Sequence, residues 1–326
     1  MLPIGITITV CFFTQTNTEI IGYHTMKSDT CDICGGRKSK FLFSSKDRMC
    51  HIPGNFRVMR CLSCGVWYLR PKLAKKILSR YYPSQTYYAY TEGKKGFFGI
   101  LREFLIAHRF FLFPSVPAMP GGTKKPGRIL DVGCGTGESL ISLQKLGWEG
   151  YGLDRDKKAL AVATKRGVRH IRYGSYKDIS RYPNNFFDVV RLYHVIEHLD
   201  DPALCLRLIR KKLKQSGQLL LGTPNAASFA SRIFGTYWYN LDSPRHLFVF
   251  SPRILRKLCE EAGFLVAEVA FCSAGGIIGS VQYLLEDKLN RRINLIHTVG
   301  WVLATYPLER IMDWFGRGDV FTIRAT

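Results

Sequence analysis

The sequence predicts an α/β protein, a Rossmann-like sheet preceded by a small zinc ribbon. Three observations carry this. A short apolar stretch, Arg128-Ile-Leu130, leads into Asp131-Val-Gly133-Cys134-Gly135-Thr-Gly137 and then into the helical pattern Glu138–Lys145, so the chain reads strand, glycine turn, helix. A second apolar stretch, Trp148–Leu153, ends in Asp154. That is about 20 residues past the turn, where a βαβ unit brings an acid within reach of a ribose. Cys31-Asp-Ile-Cys34-Gly35 and Cys61-Leu-Ser-Cys64-Gly65 repeat one CxxCG unit.

In chain order, residues 1–25 form an unassigned extension. Its apolar stretch Leu2–Phe13 has no basic flank or clear cleavage site and falls short of the about 20 apolar residues that span a bilayer, and Met26 is an alternative start. Residues 26–75 form the ribbon. Four thiolates, Cys31, Cys34, Cys61 and Cys64, complete a tetrahedral shell with no open position for water, so the implied Zn²⁺ is structural. The glycine after each second cysteine permits the tight turn. Cys50-His51, inside the loop, is a weaker candidate for one ligand. A helical and aromatic linker, residues 76–126, follows and contains Tyr81, Tyr82, Tyr87, Tyr88 and Tyr90. The core spans 127–326, with a helical insertion at about 277–315.

Within the core, the glycine turn departs from the dinucleotide pattern G-x-G-x-x-G, because the final place is Glu138 and the third glycine comes one residue early. Asn185–Leu192, an acid followed by an apolar run, reads as a buried parallel strand. Asp201 caps the next helix with Pro202 at its first position; that helix runs to about Lys214, and Gly217 is its stop signal. Gln218–Gly222 is the fifth strand, and Asp319–Arg324 is the last.

These pieces, in this order, resemble class I S-adenosylmethionine-dependent methyltransferases of the type associated with glycan and secondary-metabolite pathways. The resemblance rests on Asp-x-Gly-x-Gly-x-Gly from Asp131, Phe187-Asp-Val-Val190, Val195-Ile-Glu-His-Leu-x-Asp-Pro202, Leu219-Leu-Leu-x-Thr-Pro-Asn225 and Trp238–Phe250, and covers about residues 127–326. It implies a seven-stranded sheet with the last strand antiparallel, and S-adenosylmethionine as cofactor. Asp131, Gly133, Cys134, Gly135 and Gly137 then serve the amino-acid end and Asp154 the ribose, and Arg155, Ser175, Tyr176 and Tyr193 complete the site. Where many relatives carry an acid near the adenine amine, this chain reads Gly174-Ser175-Tyr176. In similar enzymes an aromatic segment before the core closes over the cofactor, which points to Tyr87 or Tyr88.

Methyl transfer to a hydroxyl needs a base, and His194, His198 and His246 are the candidates, His194 first because it directly follows a strand. Glu197 is placed to orient a histidine. His194-x-x-Glu197-His198 also matches a peptidase motif, which requires both histidines on one long helix. The expected acceptor is a small-molecule or glycan hydroxyl or carbon, lipid-linked in one version. The alternatives are an rRNA or tRNA methyltransferase and a non-catalytic scaffold with the cofactor fold.

The formal net charge of the 326-residue chain is +22. Such an excess suits a polyanion, an anionic membrane surface or an acidic substrate. The basic residues are scattered, at Lys94-Lys95, Lys124-Lys125, Arg207–Lys214 and Arg291-Arg292, with no nucleic-acid signature, so RNA is not the favoured partner. Paired CxxC motifs suggest a reducing, cytoplasmic setting. Phe97–Phe113 and the uncharged run Ile293–Leu308, flanked by Arg291-Arg292 and Glu309-Arg310, read as lid or core helices or as peripheral contacts with the inner membrane face.

Overall fold

The computed structural model describes residues 30–83, 126–273, 275–296 and 298–326. Tyr87, Tyr88, Tyr90, the aromatic pattern Phe97–Phe113 and the extension 1–25 lie outside the described residues. The chain opens with three antiparallel strands, β1 (Ser39–Ser45), β2 (Phe56–Cys61) and β3 (Trp67–Arg70), and a single turn of helix, α1 (Lys75–Leu78). The larger unit then runs β4 (Arg128–Val132), α2 (Glu138–Lys145), β5 (Glu149–Asp154), α3 (Lys157–Lys165), β6 (His170–Tyr173), β7 (Phe187–Tyr193), α4 (Pro202–Lys212) and β8 (Leu213–Pro224). It continues with α5 (Phe229–Phe234), β9 (Phe248–Val249), α6 (Pro252–Glu261), β10 (Val266–Phe271), α7 (Gly276–Leu289), α8 (Val299–Trp314) and β11 (Val320–Ala325).

Seven strands form one sheet in the order β10-β11-β8-β7-β4-β5-β6. The five strands from β4 to β8 pair in parallel, and β11 lies antiparallel to both β8 and β10. This is the Rossmann-like sheet expected from the sequence, last strand included. Its central strands are apolar on both faces because both are covered. Ile129, Val189 and Leu220 pack with Leu143 and Trp148 in one cluster. Their neighbours Leu130, Val190, Leu219 and Leu221 join Cys205, Leu206 and Ile209 of α4 and Leu255 and Leu258 of α6 in another. Each such side chain contributes about 1.5–3 kcal/mol by leaving water.

Asp201 caps α4 as expected, accepting from the Leu204 amide at 2.8 Å with Pro202 at the first helical position. The stop differs from expectation. The helix ends at Lys212 and Leu213 already begins β8, so Gly217 lies inside a strand rather than at a helix terminus. Leu213 pairs with Phe187, and its burial ends the helix before the glycine is reached.

The cysteine module and the larger unit share a sheet. β9 pairs with β3 through Trp67 with Val249 and Tyr68 with Phe248, making the order β1-β2-β3-β9. A buried ionic node adds a second tie. Arg245, wholly buried, donates to Asp47 Oδ1 at 2.7 Å from the loop between β1 and β2, to Asp242 Oδ1 at 2.6 Å, and to the Tyr81 carbonyl at 2.8 Å. Asp47 in turn accepts from the Met49, Cys50 and Ile52 amides, which shapes its loop.

Removing one member of a buried ion pair leaves uncompensated charge and costs about 3–5 kcal/mol. Arg245→Met strands both Asp47 and Asp242, so urea unfolding of the full chain should show a loss of that size. An unchanged midpoint would mean that the node does not hold the two units together.

Candidate active site

The glycine turn connects β4 to α2, and its three glycines all occupy the left-handed region, with φ of +74° at Gly133, +52° at Gly135 and +74° at Gly137. A Cβ on Gly133 would strike Val195 Cγ2 at 2.4 Å, and one on Gly137 would meet Ala163 at 2.9 Å. Around Gly135 there is open space, so the backbone there is free to approach a ligand closely. Asp154 turns toward this loop. Its Oδ2 accepts from the Gly135 amide at 2.8 Å and its Oδ1 from the Asp156 amide at 2.9 Å. Burial pushes the Asp154 carboxyl up, while the Gly135 and Asp156 hydrogen bonds oppose the shift. The second lone pair on each oxygen remains suited to ribose hydroxyls.

The other expected cofactor residues occupy differing environments. Asp131 is buried and accepts from Arg191 Nη1 at 2.8 Å across to β7; burial pushes its carboxyl up and Arg191 opposes this. The Cys134 thiol turns into the core among Leu140, Leu160, Ala163 and Val168, which leaves only its backbone at the loop. Arg155 is exposed. Ser175 caps a 3-10 turn, Tyr176–Arg181, in a capping box with Asp178, and Tyr176 donates to Asp200 Oδ1 at 2.8 Å. Tyr193 ends β7 with its ring 4.8 Å from that of His194.

The three histidines converge on Glu197. His194 follows β7 with φ of +55°, a conformation that ordinary residues avoid and that concentrates at functional sites. Its Nδ1 stands 3.3 Å from Glu197 Oε1 and its side chain stays about one-third exposed (31%). Ile196–His198 form only a 3-10 turn, so the two histidines of the peptidase motif share no long helix and that reading is excluded. Thr223 Oγ1 donates to Glu197 Oε2 at 3.0 Å. His246 Nε2 lies 3.9 Å from Glu197 Oε1, and its Nδ1 donates to the Asn240 carbonyl at 3.0 Å. His198 Nδ1 donates to the Arg245 carbonyl at 2.9 Å, with the Tyr82 hydroxyl 3.2 Å from the same nitrogen. Glu197, His198 and His246 each bring one donor atom within 4.8 Å of the others, a set able to hold a metal ion. The glycine turn adjoins this cluster, since Val195, packed over Gly133, is flanked by His194 and Ile196.

Electrostatics divide the cluster. Burial, and His198 beside it, pull His246 down to about 4, so its ring is neutral at pH 7. Burial alone would raise Glu197, but the His194 imidazole 3.3 Å away and the neighbouring His246 and His198 outweigh it and hold the carboxyl to about 2.

The four cysteines also come together. Cys31 and Cys64 sulfurs are 3.8 Å apart, Cys34 and Cys61 3.6 Å, and all four lie within 4.8 Å of one another. A tetrahedral zinc with bonds of about 2.3 Å requires sulfur separations of about 3.8 Å, so the donor set fits. Gly35 and Gly65 take φ of +70° and +87°, and their amides donate back to the Cys31 and Cys61 carbonyls, which closes both turns. Hydrogen bonding from Cys64 pulls the Cys31 thiol down to about 5, and the same contact pushes Cys64 up, as expected of crowded sulfurs that a cation would neutralise. Cys50-His51 is not part of this cluster.

Sequence reasoning overlooked Arg191, Asp47 and Thr223. A signal existed for the first, an arginine inside an apolar strand, which demands a buried partner.

Residues 105–269 match the family model of the methyltransferase domain, and the chain belongs to that family, the class I S-adenosylmethionine-dependent methyltransferases. A ubiquinone biosynthesis O-methyltransferase of Xanthomonas oryzae pv. oryzae is 31% identical over 125 residues, covering 36% of this chain and 52% of that protein. One of Ralstonia nicotianae is 31% identical over 188 residues, covering 55% of this chain and 75% of that protein. The chain thus spans about half the length of the first of these relatives. A solved S-adenosylmethionine-dependent methyltransferase from Archaeoglobus fulgidus is 22% identical, covers 71% of this chain and 99% of its own, and superposes with a TM-score of 0.45. S-adenosylmethionine is the cofactor of these family members.

Two outcomes follow from the geometry. The purified chain should carry one zinc, and Cys61→Ser should lose the metal and lower the unfolding midpoint, read by elemental analysis and urea titration; full metal content in that variant would rule out the four-cysteine site. Stability should also fall with acid in two stages. An unfolded histidine takes up a proton near pH 6.5 that folded His246 refuses until about 4, so stability declines across that window. Glu197 contributes stability above about pH 4.5 that is lost as the pH falls toward 2. Urea midpoints measured against pH should show the first stage in the native chain and lose it in His246→Gln.

Proposed function

We propose that this chain transfers a methyl group from S-adenosylmethionine to the hydroxyl of a sugar or other small molecule, with His194 as the general base. The observation that carries the proposal is the convergence of His194 and Glu197 beside the glycine turn. Asp154 and the open backbone at Gly135 would hold the adenosyl portion, and Asp131, through its pair with Arg191, would fix the turn at the amino-acid end. The bound cofactor supplies an activated methyl on a sulfonium, so the protein's task is mainly to position the acceptor in line and to take its proton. Glu197 orients His194 through Nδ1 and leaves Nε2 as the proton acceptor. With the cofactor held there, the acceptor hydroxyl would take the methyl and give up its proton to His194 Nε2. His198 and His246 are tethered by the Arg245 and Asn240 carbonyls beside Glu197.

The similarity to enzymes named for O-methylation in ubiquinone biosynthesis supports an oxygen acceptor on a small molecule. A carbon acceptor beside a ketone needs the same base and fits the same residues. A lipid-linked acceptor would bring the protein to the inner membrane face.

Asp154→Ala should weaken S-adenosylmethionine binding by about tenfold or more in calorimetry, the scale of a lost charge-assisted hydrogen bond. His194→Gln should lower kcat by about a hundredfold or more while cofactor affinity stays. The acceptor class can be read from labelled S-adenosylmethionine added to cell extract with the protein. Label in a small-molecule or lipid fraction supports the proposal; label in RNA, or none with cofactor tightly bound, overturns it.

A further inference from the structure

Helix α8 is built inside out. Its charged residues face the protein. Glu309 is 1% exposed and accepts from the Gly275 and Ile277 amides at 3.0 and 3.1 Å; Asp313 accepts from Ser273 Oγ at 2.7 Å; Arg310 donates to the Ser273 carbonyl. Several of its large apolar residues face out, with Trp301 53% exposed, Leu308 41%, Ile311 46%, Trp314 89% and, just past the end, Phe315 73%. Trp301, Ala304, Leu308, Ile311 and Phe315 follow one another at alternating steps of three and four, so they form a single stripe along the helix. A helix on a solvated surface shows the opposite pattern, and an exposed apolar stripe of this length marks a contact surface.

We propose that this stripe lies on an anionic lipid surface. Charge is the first argument for that occupant. The chain carries a formal net charge of +22, the exposed Lys288, Arg291 and Arg292 precede the helix, and the exposed Arg317 follows it. The nearest acids are engaged. Asp287 pairs with Lys46 and Arg48, and Glu286 accepts from the Ile293 amide and Gln282. An anionic surface attracts this arrangement, whereas a second copy would bring an equal positive charge against it. The aromatic residues are the second argument. Tryptophan prefers the boundary between headgroups and acyl chains, and here one stands near each end of the stripe. The geometry is the third. Among the described residues no helix is long and apolar enough to cross a membrane, so α8 would lie in the plane of the surface with its charged side still packed on the protein. The proposal stands on the helix and not on the methyl-transfer reading.

The test is flotation of the full chain with vesicles of phosphatidylcholine alone or mixed with phosphatidylglycerol. The protein should float with the mixed vesicles and about tenfold less with the neutral ones. Trp314→Ser with Phe315→Ser, at exposed positions, should leave thermal unfolding unchanged and reduce flotation about tenfold or more; if that variant shifts unfolding, Ile311→Ser takes its place. Arg291→Glu with Arg292→Glu should weaken flotation with mixed vesicles only. Absence of flotation would overturn the proposal, as would flotation that the aromatic variant leaves intact, since the net charge alone would then account for it. A concentration-dependent dimer in sedimentation, lost in the same variant, would show that a second copy covers the stripe and would also overturn it.

Discussion

A guanidinium with no access to water must find its full set of acceptors inside the protein, and Arg245 finds them in three separate stretches of chain: Asp47 from the cysteine module, Tyr81 from the connector, and Asp242 beside it. Its own carbonyl then takes the Nδ1 proton of His198. One residue therefore couples the loop of the cysteine module to the tautomer of a histidine in the candidate active site. This gives the module a physical role that requires no contact with the acceptor. The sulfur cluster fixes the two turns that anchor β1 and β2, those strands carry the Asp47 loop, and Asp47 neutralises the arginine on which the histidine cluster leans. A buried ion group seldom adds net stability over well-packed apolar residues, but it admits one arrangement only.

The same economy of contacts links the glycine turn to the histidines. Gly133 lacks a side chain because Val195 occupies that space, and Val195 is the residue between His194 and Ile196. A side chain at Gly133 would push on the segment that holds His194 in its left-handed backbone. Strain of that kind costs of the order of 1–3 kcal/mol and persists only where the surroundings enforce it. Here the His194 amide donates to the Gly222 carbonyl at 2.9 Å, and Glu197 and Tyr193 hold its ring from two sides.

Much of this was legible in the sequence, and the parts that were not share a cause. Patterns local in the chain read well: the CxxCG turns, the glycine turn with Asp154 at the next strand end, the Asp201-Pro202 cap and the apolar strands, with ends displaced by a residue or two except at β8, which begins at Leu213, five residues before Gln218. What failed depended on partners far apart. Asp47 and Arg245 are separated by 198 positions, and nothing near either one announces the other. β9 is a two-residue strand whose pairing with β3 leaves no periodicity to detect. Gly217 misled because its turn chemistry was outweighed by the pairing of Leu213 with Phe187. The histidines were each visible as alternatives, but only tertiary structure brings them around one carboxylate.

Helix α8 shows how a local rule can be reversed by a neighbour. Its uncharged stretch invites the view that the apolar side is buried and that Glu309, Arg310 and Asp313 mark the solvated end. The start of α7 decides otherwise. Its first amides, at Gly275 and Ile277, need acceptors and carry the positive end of a helix dipole, and a carboxylate is the strongest available answer. Glu309 supplies it from α8, with its pKa raised by burial and opposed by those two hydrogen bonds. Asp313 meets both the amide and the hydroxyl of Ser273, and the Ser273 hydroxyl accepts from the Asp319 amide at the entry to β11. Once these carboxylates are committed inward, the rotation of α8 is set, and Trp301, Leu308, Ile311 and Trp314 are turned out. The exposed stripe is thus the other side of a capping interaction, and a surface that costs the isolated protein stability gains its use only against something apolar.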